Sequence, residues 1–150
     1  MPNKFQRDII AATDEGAISY VKSGLAEARQ QMDSAIQNLN SAVLLRDTDI
    51  SGSFTLAYEA CRKSVGAVLA AHGMRLKHVE KAHKVFVAIS KQESFASEAW
   101  VKFDWMRVRR NDTQYSNPDK PDVTRQDCEV AIDAAKLMTA DAQRLLNSLG

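Results

Sequence analysis

The sequence has few of the features that stabilise small extracellular proteins or direct a chain to a membrane. Its two cysteines, Cys61 and Cys128, lie far apart and form no CxxC pair, so we expect no disulfide framework. No apolar run approaches the roughly 20 residues needed to cross a bilayer. Residues 1–16 carry several charges and no long apolar core, so we expect no signal peptide. The default expectation is a reducing, cytoplasmic location without membrane association.

The sequence also lacks the motifs that bind common cofactors. Its six glycines are scattered and form no GxxxxGK[ST], GxGxxG or GxSxG motif. His78 and His83 are five residues apart, so they do not share a helix face, and there is no HExxH motif. We therefore expect no cofactor and no metal. The formal net charge of +1 at pH 7 gives no argument for or against nucleic acid, so such an argument must be local.

What the sequence does contain is apolar residues at helical spacing. The 150 residues fit one domain of ordinary size. Apolar residues recur every three or four positions in five segments. These segments lie at about residues 23–46, 53–72 and 78–91, from Ser94 or Ser97 into an arginine-rich stretch, and from Thr124 to the end. They predict an all-α, up-and-down bundle of about five helices over residues 23–150, with no strand.

Several helix ends have recognisable signals. Ser23 is a candidate N-cap of the first helix, and residues 47–52 are predicted to form a loop. Gly73 follows the predicted second helix, at the position where a glycine in the left-handed conformation commonly ends a helix. Thr124 and Asp127 resemble a capping box. Residues 1–22 form an arm or short helix that either packs on the domain or mediates self-association.

The densest group of hydrogen-bonding side chains is the stretch from Met106 to Tyr115. It contains Arg107, Arg109, Arg110 and Asn111 and precedes the closely spaced prolines Pro118 and Pro121. Arginine binds phosphate bidentately and stays charged, so Arg107, Arg109 and Arg110 are candidates for binding RNA or another phosphate. Asn111 beside them is a fourth candidate contact. The alternative is a solvated face, or ion pairs with neighbouring acids such as Asp104 and Asp112.

Residues 109–115, Arg-Arg-Asn-Asp-Thr-Gln-Tyr, resemble the signature of HEPN domains. These are small α-helical domains of prokaryotic defence and toxin–antitoxin systems. Their motif is an arginine, usually followed by a polar residue, and then a histidine after four to six intervening residues. Arg110 and Asn111 match the first two positions, and Tyr115 stands at the position of the histidine. Residues 57–63 and 70–75 resemble the second helix of some HEPN subfamilies.

The resemblance implies a HEPN-like bundle, a homodimer and a composite site between two facing motifs. It also implies metal-independent RNA cleavage, for which Arg110 and Tyr115 are the catalytic candidates. A tyrosine has a reference pKa of about 10 and is a poor base at neutral pH, although it can still donate a hydrogen bond or stack on a nucleobase.

Three functions therefore stay open. The protein is an RNA- or nucleotide-associated HEPN-like domain, with or without ribonuclease activity, in a defence or toxin–antitoxin context. Alternatively, it is a non-catalytic interaction module, accessory or antitoxin-like, that binds a cognate protein. In the third possibility, the arginines form only a structural ion-pair network.

Overall fold

The computed structural model describes residues 3–12, 18–22, 24–77, 83–91, 95–114, 118–119 and 121–149. Within them it has six helices and one two-stranded sheet. The helices are α1 Lys4–Ala12, α2 Leu25–Leu45, α3 Ile50–Ala71, α4 His83–Ser90, α5 Ser97–Gln114 and α6 Arg125–Leu149. The strands are β1 Ile18–Tyr20 and β2 Met74–Leu76. The predicted all-α class is confirmed.

Helices α2 and α3 run antiparallel and form the centre of the bundle. Near their connection, the Ser53 hydroxyl at the start of α3 donates to the Ala42 carbonyl at the end of α2, over 2.6 Å. At the opposite end, the Gly24 amide before α2 donates to the Ala70 carbonyl of α3 over 3.3 Å. Four of the five alanines of α3 are buried, and their small side chains let the neighbouring helices approach closely.

The core is continuous and is filled from the predicted apolar stripes. Its largest fully buried side chains come from α1 to α6 and β2, and include Ile9, Met32, Phe54, Met74, Ile89, Trp100 and Met138. Cys61 and Cys128 are both buried, as expected for small core residues. Two apolar residues of α2, Ile36 and Val43, are 37% and 36% exposed, so they do not belong to its buried face.

Some helix ends agree with the sequence signals. Gly73 has a φ of +72°, the left-handed conformation that ends α3. The Thr124 hydroxyl accepts from the Asp127 amide over 3.0 Å, and the Asp127 carboxylate accepts from the Thr124 amide over 3.1 Å. The predicted capping box of α6 is therefore confirmed.

Other helix ends differ from the prediction. Helix α3 begins three residues before the predicted Ser53, because the Asp49 carboxylate caps it by accepting from the Gly52 amide over 2.9 Å. The predicted loop at residues 47–52 is correspondingly too long. The N-cap of α2 is Gly24, without a side-chain cap, whereas Ser23 lies outside the described residues.

The expectation that the chain has no strand is wrong. Strands β1 and β2 pair antiparallel, with Ser19 opposite Arg75. Each strand has only three residues, which is too short for an alternating pattern to stand out from the sequence. The pairing attaches the N-terminal segment to the end of α3.

Within the described residues, the N-terminal arm packs on the domain. Helix α1 contacts α4, and its Phe5 and Ile9 side chains are 9% and 0% exposed. The Phe5 ring stacks on the His72 ring, with centroids 3.9 Å apart. The side-chain amide of Gln6 also donates to the His72 carbonyl over 2.5 Å. The apolar face of α1 is thus largely used inside the same chain.

Candidate functional site

Helix α5 carries the arginine-rich stretch and is held by its inner face. Trp100, Phe103 and Met106 follow at intervals of three and are at most 1% exposed. Asp141 of α6 fixes the beginning of α5, because its carboxylate accepts from the Trp100 indole over 2.7 Å and from the Ala96 amide over 2.6 Å. The arginines therefore project from a helix whose position is set by the core.

Arg109 contacts the beginning of α6. Its guanidinium donates to the carbonyl oxygens of Pro121 and Asp122, each over 2.7 Å. It also pairs with the Asp127 carboxylate over 3.2 Å, and its side chain is only 14% exposed. Because Asp127 belongs to the capping box, Arg109 joins the end of α5 to the first turn of α6.

Arg110 contacts a different part of the bundle. Its guanidinium carbon lies 5.5 Å from the centroid of the Tyr58 ring of α3. Tyr58 is 4% exposed and stacks in turn on Phe103, with ring centroids 5.2 Å apart. This cation–π contact and the stack below it hold Arg110 against a rigid aromatic support.

Charged side chains of both signs act on the Tyr58 phenol. Burial raises the pKa of the Tyr58 phenol above its usual value of 10.0. The positive charges of Arg110, Arg62 and Arg107 lower this pKa, whereas the negative charge of Glu59 raises it. We call Tyr58, Arg62, Arg107 and Arg110 the Tyr58 arginine cluster.

Two of the clustered arginines also pair with acids on their own helices. Arg107 contacts the Asp104 carboxylate over 3.0 Å, and Arg62 contacts Glu59 over 2.6 Å. Both pairs have the i,i+3 spacing that orients side chains on a helix surface. The ion-pair alternative therefore holds for Arg107 and Asp104, but pairing to Asp104 still leaves the Arg107 charge within range of Tyr58.

Helix α5 also carries three exposed apolar side chains on its outer face. Val101, Trp105 and Val108 are 43%, 38% and 45% exposed, at intervals of four and three. The Trp105 ring meets the Phe54 ring edge-on, with centroids 5.9 Å apart. We call Val101, Trp105 and Val108 the outer α5 stripe; its spacing places its members on one surface of the helix.

Comparison with protein families identifies the fold that carries this site. A sequence model of the HEPN domain matches residues 25–145 of the 150. The chain belongs to the HEPN domain family. Comparisons with curated proteins and with solved structures each find no match. The HEPN match contains the whole of α5, whereas α1 and β1 precede it.

The three arginines of α5 are thus divided between two surroundings. Arg107 and Arg110 lie with Tyr58, whereas Arg109 lies against α6. Asn111 is exposed near the end of α5. Tyr115, the residue that the resemblance predicts at the histidine position of the HEPN motif, lies outside the described residues.

Sequence reasoning did not assign Tyr58 or Arg62 to the site. The resemblance of residues 57–63 to the second helix of some HEPN subfamilies is the only sequence signal for them. Tyr58 is a buried aromatic support whose contacts come from α5, 45 or more positions along the sequence. In the described parts of this HEPN domain and its arm, no three His, Cys, Asp or Glu side chains could together hold a metal ion.

Proposed function

We propose that this HEPN domain protein binds RNA in the cytoplasm through the Tyr58 arginine cluster. The observation that carries the proposal is the position of Arg110 over the buried Tyr58 ring. A guanidinium held against an aromatic ring loses less side-chain freedom when it binds a phosphate, because its plane is already oriented. Arg107 adds a second positive charge one helical turn away on α5.

The proposal includes a homodimer formed through α5. The outer α5 stripe leaves Val101, Trp105 and Val108 exposed on the surface of α5. Covering this stripe with the same stripe of a second copy would bury apolar surface. The resemblance to HEPN ribonucleases, in which two motifs face one cleft, supports this choice of partner.

Cleavage is the catalytic form of the same proposal. Arg110 would stabilise the negative charge that develops on the phosphate, and Tyr115 would hold the position of the proton-transferring histidine. A phenol with a reference pKa of about 10 is a weak general base at neutral pH, so we propose RNA binding as the primary function. A defence or toxin–antitoxin role belongs to this proposal through the family resemblance.

RNA binding and cleavage can be measured together. Labelled tRNA and a mixed oligoribonucleotide pool are incubated with the protein in EDTA, and binding is followed by filter retention at several salt concentrations. Arg110→Ala should weaken binding. A plot of the logarithm of the binding constant against the logarithm of the salt concentration should also become less steep by about 0.7, the value for one phosphate contact on a single strand. Arg125→Ala is the control, because Arg125 is 56% exposed and lies on α6.

The outcomes separate the versions of the proposal. Fragments that disappear in Arg110→Ala identify a metal-independent ribonuclease, whereas binding without fragments identifies a binding protein. An absence of both at low salt refutes RNA as the ligand.

Light scattering tests the dimer: Val108→Asp should give monomers, whereas Leu44→Asp, which changes an 80% exposed leucine of α2, should not.

The outer α5 stripe also favours a second candidate, an accessory or antitoxin-like module that binds a cognate protein. In this case the stripe would be covered by a different chain. Purification from the native host, with identification of the product of the neighbouring gene, tests it. A complex that survives in Arg110→Ala but dissociates in Val108→Asp supports this candidate, and a protein that purifies alone refutes it.

A further inference from the structure

A cavity of about 200 Å³ lies among α2, α3, β2 and α5. Four of its lining side chains, Val65, Leu69, Met74 and Phe103, are at most 2% exposed, so its apolar walls belong to the core. Ligand pockets for drug-sized molecules are larger, about 300–1,000 Å³. The cavity therefore suits one small ring system rather than a whole nucleotide or a folded peptide segment.

The polar groups of the cavity have both signs of charge. Glu27 and Gln31 come from α2, Arg62 from α3 and Arg75 from β2. Arg75 contacts the Glu27 carboxylate over 3.0 Å, and Arg62 contacts Glu59 over 2.6 Å. Since each guanidinium is balanced by a carboxylate, the cavity favours a neutral ligand that both donates and accepts hydrogen bonds.

We infer that this cavity binds a guanine base of the RNA, an inference that rests on the proposed function. The Arg75–Glu27 pair places a donor directly beside an acceptor. One edge of guanine offers the complementary order, because the O6 acceptor is followed by the N1–H and N2–H donors. Arginine is a common partner of guanine O6, and a carboxylate accepts from N–H groups. Adenine lacks O6 and N1–H, and uracil lacks the amino group.

The position of the cavity agrees with a single strand that also contacts Arg110. Phe103 lines the cavity and stacks on Tyr58, which supports Arg110. A phosphate at Arg110 and a base in the cavity would therefore lie on either side of one aromatic stack. Glu27 and Arg75 are 40% and 58% exposed, so the hydrogen-bonding end of the cavity is accessible from solvent.

The test compares hexamers that differ in one base. Fluorescence anisotropy measures the dissociation constants of U6, of the same strand with one central G, and of the same strand with one central A. The wild-type protein should bind the G strand about tenfold more tightly than the other two, within the range of one bidentate base contact. Glu27→Gln, which keeps the side-chain shape, should remove this preference and leave U6 binding unchanged.

Glu129→Gln is the matched control, since Glu129 is 49% exposed and also pairs with an arginine, Arg125, over 3.6 Å. It should leave the preference unchanged. Arg110→Ala should weaken binding of all three hexamers by one common factor. Equal binding of the three hexamers by wild type, or a G preference that survives in Glu27→Gln, overturns the inference while RNA binding itself stands.

A second measurement tests whether the cavity binds guanine independently of whether the protein binds RNA. Guanosine and adenosine are titrated separately into labelled protein, and amide shifts of Glu27, Gln31 and Arg75 are followed by NMR. Shifts with guanosine and not with adenosine support the cavity even if no hexamer binds, in which case RNA binding fails and a nucleoside site remains. Equal shifts, or none with either nucleoside, overturn the guanine inference.

Discussion

Replacing Arg109 with alanine should separate the end of α5 from the beginning of α6. The side chain donates to the carbonyl oxygens of Pro121 and Asp122 and pairs with Asp127. Asp127 also caps α6, so the change removes the α5 side chain that pairs with this capping carboxylate. The loss should appear as lower stability of the whole domain, because α6 packs on α2, α3 and α5.

The size of the stability loss follows from the number and the solvent exposure of the contacts that Arg109 makes. A hydrogen bond to a charged group contributes about 1.5–3 kcal/mol. After the substitution the two exposed carbonyl groups can bind water, and Asp127, at 22% side-chain exposure, is already partly solvated. We therefore expect a loss of about 2–3 kcal/mol in total rather than the sum of all contacts. For a domain of this size that lowers Tm by about 4–12 °C.

Thermal unfolding followed by circular dichroism at 222 nm measures this loss, with urea unfolding as a second determination. Arg125→Ala is the control, because Arg125 is a surface arginine of α6 that pairs with Asp47 and Glu129, and its Tm should stay close to that of wild type. A Tm shift below about 2 °C for Arg109→Ala, or equal shifts for both variants, would refute the structural role of Arg109.

Three further predictions concern single contacts in the core and at the arm. Asp141→Ala should cost about 2–4 kcal/mol in urea unfolding, since it leaves two donors without an acceptor, whereas Asp141→Asn should cost less by keeping an oxygen at the same place. Gly73→Ala should cost about 1–2 kcal/mol because of its φ of +72°; an unchanged midpoint would contradict this. Burial lowers the pKa of His72 below 6.5, so the unfolded chain binds the proton more tightly and stability should fall as pH drops below about 6.5. His72→Phe keeps a ring on Phe5 and should reduce the difference in Tm between pH 7.5 and 5.5; an undiminished difference would show that other groups cause it.

Local sequence signals were sufficient for most of the helices. The capping box at Thr124 and Asp127 and the left-handed Gly73 are formed by groups within a few residues of each other, so their geometry is encoded locally. The prediction failed at Asp49, where α3 begins earlier than expected. Its carboxylate caps α3 through the Gly52 amide, yet a run of polar residues with a glycine was interpreted as a loop.

Long-range contacts account for what was missed in the fold. Strand β1 exists because β2 offers it a partner 50 or more residues away, and neither three-residue strand has a periodic pattern of its own. The arm could have packed on its own domain or on another chain. Its described part packs on α4 and His72, and that choice depends on surfaces that several separate segments create.

The arginine-rich stretch shows the same division within the candidate site. The sequence by itself determined that Arg107, Arg109 and Arg110 would lie close together on one late helix, because helical periodicity is a local property. Only the tertiary structure decided that Arg109 binds the beginning of α6 whereas Arg110 lies over Tyr58. Successive side chains on a helix point about 100° apart, so adjacent residues meet different neighbours. The identity of those neighbours depends on how α3 and α6 pack against α5.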